Sequence, residues 1–215
     1  QMRLLHSILK TIMTTAKKTT TRAKKPAAPR KKAAAPAPIP DLPNNPFIYE
    51  IFDVVSKQRT KARKIEALQK YKAPVLITLF VWNFDESVIS MLPPGDVPYA
   101  AIDGETGFKG TLSEKIADAV SKMEELDTRS LGANDQGKTT IRAEFRKFYN
   151  FIKGGNDSLS MLRRETMFIN ILSGLHPLEA EILCLCKDKK LDTKYKITKE
   201  IVAEAYPEVQ WGGRS

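Results

Sequence analysis

Two cysteines and two histidines among 215 residues are too few for a disulfide scaffold. Cys184 and Cys186 stand two residues apart, so on a helix their side chains diverge by about 200° and cannot share a tetrahedral ion. With His176 they give three candidate ligands and no fourth nearby, so neither a metal nor a cofactor is expected. The cysteines read as core residues of a protein from a reducing compartment, and His176, just before Pro177, reads as the head of a helix. No apolar run reaches the roughly 18 residues of a membrane span. The longest, Ala73 to Trp82, is interrupted by Pro74 and Thr78, so no membrane partner is expected. Sustained period-two alternation is missing too, which excludes most sheet architectures. The last absence is negative charge near the start, where the first acid is Asp41.

The formal charge is +10, from 35 Lys and Arg against 25 Asp and Glu. Residues 1–46 carry Arg3, Lys10, Lys17, Lys18, Arg22, Lys24, Lys25, Arg30, Lys31 and Lys32 against Asp41, a net of +9, which leaves +1 for residues 47–215. The body is itself polarised, with +4 over 47–80, −7 over 81–127 and +4 over 128–215. Seven of the 13 prolines lie between Pro26 and Pro46. A tract of Lys, Ala, Pro and Thr has little to bury and cannot offset the entropy of ordering, so 1–46 is expected to be a disordered tail. Its basic pairs resemble linker-histone tails, which neutralise phosphates without reading bases. Nucleic acid, bound non-specifically, is therefore the expected partner of Lys17, Lys18, Arg22, Lys24, Lys25, Arg30, Lys31 and Lys32. The alternatives are a solubilising tether and, for the acid-free start MRLLHSILKTI, an organelle transit peptide. Because Gln1 leads the sequence, Met2 and Met13 are the expected start positions. A start at Met13 leaves residues 1–12 untranslated and the tail at +7.

From Phe47 the pattern turns helical. Phe47, Ile48, Ile51, Phe52 and Val55 mark a first helix, Ser56 or Thr60 caps a second reaching Tyr71, and Pro74 opens a third ending near Trp82. The stretch 92–110, with three prolines and four glycines, reads as a long loop with room for a short hairpin. Helices are expected over 112–126, over 140–153 closed by Gly154 and Gly155, and from a cap at Asp157 or Ser158 to Leu172. Two more run from Pro177 to about Lys187 and from Thr198 to about Tyr206, with a Lys-rich turn between them. The predicted fold class is all-α, a compact bundle of short helices over 47–209, with a flexible C-terminus at 210–215.

Gly132 to Thr139 matches the phosphate-loop pattern, with Gly132 and Gly137 as its glycines, Lys138 as the phosphate-reaching lysine and Thr139 as the magnesium ligand. Its preceding segment, EELDTRSL, is too polar for the buried strand such a loop follows. A chain of this length meets the pattern by chance in roughly one case in a hundred or two. It is therefore taken as coincidence, and no catalytic residue is assigned. Three basic groups remain as nucleic-acid candidates. Lys57, Arg59, Lys61, Arg63 and Lys64 lie between the first two helices with no acid among them. Lys187, Lys189, Lys190, Lys194, Lys196 and Lys199 surround Tyr195, and Arg142, Arg146 and Lys153, with Tyr149, fall on one helical face. The alternative is an ordinary solvated surface, since Glu144, Asp188 and Asp192 are interspersed. The helix pair at 177–206 has a turn of about ten residues, longer than the three or four of a helix-turn-helix.

The segments VVSKQRTKARKIEALQKYKAP (54–74), FDESVISMLPPGDVPY (84–99), FRKFYNFIKGGNDSLSMLRRETMFINILSGLHPLEAEILCLCKDKKLDTKYK (145–196) and EIVAEAYPEV (200–209) resemble a family of uncharacterised proteins. Its members belong to large contractile-tailed bacteriophages, especially those of marine cyanobacteria. The resemblance covers most of 47–209, with departures at Lys196-Ile197, where the family pattern has a glycine after the KYK run, and around 127–139. It implies a virus-encoded protein in the host cytoplasm or the virion, and carries no activity or catalytic residue across. The expected function is that of a non-enzymatic phage accessory protein, associated with nucleic acid or with replication, recombination or transcription machinery. The alternative is a virion or assembly protein against packaged DNA, and the least favoured reading is a nucleotide hydrolase using Lys138 and Thr139.

Overall fold

A computed structural model describes residues 37–97, 110–128 and 137–214. Helix α1 (Ile48–Lys57) follows the three- and four-residue apolar rhythm, and Ile48, Ile51, Phe52 and Val55 are all fully buried. Its first turn is closed by Glu50, whose carboxylate accepts the Phe47 N–H at 2.8 Å. Helix α2 (Lys61–Lys70) starts at Thr60, whose hydroxyl accepts the Arg63 N–H. Helix α3 (Pro74–Phe84) has proline in its first turn and is apolar on nearly every side, the composition of a central helix.

Two aromatic groups meet through α3. Phe80 packs on Phe52 (5.4 Å between ring centres) and Tyr206 (6.2 Å), while Trp82, pointing the other way, packs on Phe148 (5.6 Å) and Phe151 (6.1 Å). Around it lie α4 (Leu112–Glu125), α5 (Ile141–Glu144), a 3₁₀ segment (Phe145–Phe151), α6 (Met161–Gly174), α7 (Pro177–Lys187), α8 (Leu191–Tyr195) and α9 (Lys199–Ala205). Thr111 and Glu114 form a capping box at the head of α4. Helix α7 packs on α4, α3 and α1, and α9 on α2 and α3. The all-α expectation holds, and the described residues contain no strand, only an isolated antiparallel bridge between Ser90 and Ile152.

Several boundaries differ from expectation for physical reasons. The helix expected over 140–153 tightens after four residues into a 3₁₀ segment, because Phe145, Phe148 and Phe151 recur every third residue and 3₁₀ geometry puts that spacing on one row. The next helix begins at Met161 with Ser160 as its cap, not Asp157 or Ser158. Asp157 instead accepts the Gly154 N–H at 3.1 Å. The Lys-rich turn contains α8 and closes at Lys196, whose φ of 52° makes the left-handed turn itself, before the buried Ile197.

Both ends of the body extend further than composition suggests. Within 38–46, Ile39 is buried, Lys70 pairs with Asp41 at 2.6 Å, and the Tyr71 hydroxyl donates to the Pro40 carbonyl and accepts the Leu42 N–H. At the other end the Gly212 N–H (2.9 Å) and Arg214 (2.5 Å) bind the Asp85 carboxylate, so the expected flexible C-terminus is docked through Arg214. Residues 98–109 of the 92–110 loop, and its expected hairpin, lie outside the described residues, as do 1–36 of the tail.

Candidate nucleic-acid interface

The first basic cluster has no acid within it, but the fold supplies acids from elsewhere. Lys57 pairs with Asp53 at 2.7 Å, Arg63 with Glu66 at 2.7 Å and Lys61 with Glu204 of α9 at 2.5 Å. Lys64 donates to the Lys196 carbonyl at 2.7 Å. Arg59 is exposed. Neutralised over most of its length, this stretch is weaker as a phosphate track than its sequence suggests.

Three of the six C-terminal lysines are structural, and Lys190, Lys196 and Lys199 are exposed. Lys187 is buried and donates to the Pro93 and Gly95 carbonyls (2.8 and 2.9 Å) and to Asp188, holding the start of the 92–110 loop against α7. Lys189 donates to the Asp85 carbonyl at 2.6 Å, and Lys194 pairs with Glu181 at 2.5 Å. Tyr195 is buried edge-on to Phe52 at 5.3 Å, so it offers no stacking face.

Within the phosphate-loop match, Gly132 lies outside the described residues. The Lys138 and Thr139 N–H groups, which would cradle a phosphate, both donate to the Gly174 carbonyl, at 2.7 and 2.9 Å. The Thr139 hydroxyl donates to Glu144 at 2.8 Å. Gly137 has a φ of +88°, and a Cβ there would sit 2.6 Å from the His176 N. This glycine serves close backbone packing onto α7, and the helix that follows is only four residues long. The described part of the match is a turn docked on Gly174, with both of these amides already engaged.

Both cysteines behave as core residues. Burial pushes the Cys184 thiol up to about 12 and raises Cys186, which is fully enclosed. His176 is the cap of α7, its Nδ1 accepting the Leu178 N–H at 3.1 Å and its ring stacked on Tyr49 at 4.8 Å. No group of three metal-ligating side chains occurs among the described residues, and no helix there is long and apolar enough to cross a membrane.

The third basic group is divided by the 3₁₀ segment. Arg142 faces inward, its Nε donating to the Pro46 carbonyl at 2.8 Å. Arg146 and Tyr149, three residues apart on the 3₁₀ segment, share one row and, with Ile152 just beyond it, edge an apolar groove of about 370 Å³. Ile77, Val81 and Trp82 of α3 form its floor, and Arg214 reaches it from the C-terminus. Tyr149 is 52% exposed, unusual for an aromatic side chain beside a groove already lined by a buried Trp82. Arg146 is exposed and pairs with no acid among the described residues. A half-exposed tyrosine with an exposed arginine on the same rim is the composition of a base-stacking platform, while Arg214, which also lines the groove, has its guanidinium on Asp85. Arg214 enters only because Asp85 holds the chain end, a long-range interaction with no local signal in the sequence.

Two buried carboxylates escaped sequence reasoning. Asp85 accepts from the Ser87 N–H and hydroxyl, the Gly212 N–H and Arg214. Glu179, fully buried on α7, accepts the N–H of Ile48 and of Ile141, both at 3.0 Å, and so caps α1 and α5 together. No curated protein and no solved structure matches the chain. A family of unknown function, DUF6433, matches residues 51–122 and 123–193, more than half of the sequence. These residues run from α1 into α8 and hold Glu179 and all of the groove lining except Arg214, and by them the chain belongs to the DUF6433 family.

Proposed function

We propose that the protein is a non-enzymatic accessory protein of a contractile-tailed bacteriophage that associates with nucleic acid in the host cytoplasm. In this reading the N-terminal tail neutralises phosphates and the Arg146–Tyr149 groove holds an unpaired base. The phage origin rests on the resemblance over 54–209. The observation that carries the nucleic-acid part is the partition of charge. Residues 1–36 contain ten Lys and Arg and no acid, while residues 37–215 hold 25 of each sign. The body's cations largely have partners already, so the tail is the chain's concentrated positive segment.

The test is binding of single-stranded and duplex DNA across a salt series by the full chain and by a full-length variant with Gln at the ten tail cations. The variant is expected to bind more weakly, with a log–log salt slope shallower by about 0.9 for each duplex phosphate it no longer neutralises. Equal affinity and slope for both chains would refute the tail's role. Tyr149→Ala is expected to weaken single-strand binding by about five- to a hundredfold, the worth of one stacked base, and to affect duplex binding less.

A further inference from the structure

A second cavity, of about 480 Å³, lies between the turn after the 3₁₀ segment and the start of α6. Its size falls in the roughly 300–1,000 Å³ range of small-molecule sites. Arg164 lines it and is only 2% exposed, which is rare for an arginine without a counter-ion. Its Nη2 donates to the carbonyls of Asn156 (2.8 Å) and Leu159 (3.0 Å), both uncharged. Its Nε is buried without a hydrogen-bond partner, and no carboxylate pairs with the guanidinium among the described residues.

The rest of the lining points the same way. Lys153, exposed on the rim, is fixed through its backbone N–H, which donates to the Ile89 carbonyl at 2.9 Å. Met161 opens α6, so the positive end of a 14-residue helix bears on the cavity. Against the cations Arg164 and Lys153 stands one acid in the lining, Asp157, whose carboxylate is turned to the Gly154 N–H at 3.1 Å. Met91, Leu159 and Met161 supply apolar wall.

We propose that this cavity binds a small organic oxyanion. A phosphate or carboxylate head sits on Arg164 and Lys153, and an apolar body lies against Met91, Leu159 and Met161. An anion there supplies the counter-charge that the buried guanidinium lacks.

The experiment uses the full-length chain with glutamines at the tail cations, so that the tail cannot hold the probes and failure of the nucleic-acid reading leaves the result interpretable. Phenyl phosphate, benzoate and inorganic phosphate are titrated by calorimetry. At least one aromatic probe is expected to bind saturably at one site, and the preferred one identifies the head group. Lys153→Gln, an exposed change that leaves the fold intact, is expected to weaken binding by about fivefold or more. Arg164→Lys is expected to abolish binding and lower Tm, since it also loosens the 156–159 turn. Absence of saturable binding at millimolar probe, unchanged affinity in Lys153→Gln, or inorganic phosphate binding as tightly as phenyl phosphate would each overturn the proposal.

Discussion

At Asp85, burial and hydrogen bonding push the carboxyl in opposite directions. Burial raises it, but the Ser87 hydroxyl, the Gly212 and Ser87 amides and Arg214 together outweigh that and hold it at about 2, below the ordinary 3.8. A carboxyl depressed in the folded state stabilises the fold fully above its unfolded pKa, and that contribution is lost as pH falls from about 4 through about 2. The urea midpoint should therefore fall between pH 4 and pH 2, and Asp85→Asn should flatten that slope. The substitution should itself cost about 1–3 kcal/mol by leaving buried donors unpaired; an unchanged acid slope would show that Asp85 is not the titrating group. Glu179 runs the other way. Burial pushes it up, against the pull of the Ile48 and Ile141 amides and Arg142, so its ionised form weighs against the fold as pH rises through its pKa. Its geometric role is larger, because Glu179→Ala strands two buried helix-first amides and should cost about 2–5 kcal/mol in urea unfolding. A loss below about 1 kcal/mol would mean that water replaces the carboxylate.

Between Phe145 and Asp157 the chain makes one connected element of 3₁₀ turns and a double-glycine break. An ideal Cβ on Gly155 would lie 1.9 Å from the Tyr149 carbonyl oxygen, whereas Gly154, at φ +77°, opens onto free space. Gly155→Ala should therefore displace the 3₁₀ segment and lower Tm strongly, by the several degrees that about 2–4 kcal/mol represents. Gly154→Ala should cost only about 1 kcal/mol, from backbone strain. Equal losses in the two variants would contradict the close approach at Gly155. The helices were legible where caps and apolar rhythm agree, as at Thr60, Pro74 and Thr111. The 3₁₀ segment was legible in principle, since FxxFxxF has a strict spacing of three, but the same residues also satisfy an i, i+3 helical pattern. Site chemistry was harder to read. Acids that neutralise Lys61 and cations that edge the groove come from residues more than sixty positions away, as Glu204 and Arg214 do. Residues 38–46 were misassigned because proline-rich composition resembles a tail even where Ile39 and Leu42 dock on α2. A chain beginning at 37 should thus be measurably more stable than one beginning at 47, with a higher Tm.

At the scale of the molecule, the DUF6433 match falls in two consecutive stretches, 51–122 and 123–193, yet the packing does not divide there. The junction falls inside helix α4 (Leu112–Glu125), which lies against α7 of the second stretch, and α7 also covers α3 and α1 from the first. Glu179 adds a polar tie across the same junction, binding the first amides of α1 and α5. One hydrophobic cluster runs from Ile39 to Tyr206. Neither stretch alone can bury the apolar faces it presents, because each lacks the helices that cover them. The body should therefore unfold as one cooperative unit. Fluorescence offers two probes for this, Trp82 in the core and Trp211 under Lys199 near the C-terminus, with circular dichroism reporting the helices. Coincident urea transitions by both methods are expected, in the wild type and in Trp211→Phe, which isolates the core signal. Two separated transitions, or a folded fragment 123–215 expressed alone, would show that the stretches are independent folding units and that α7 only rests against a preformed first half.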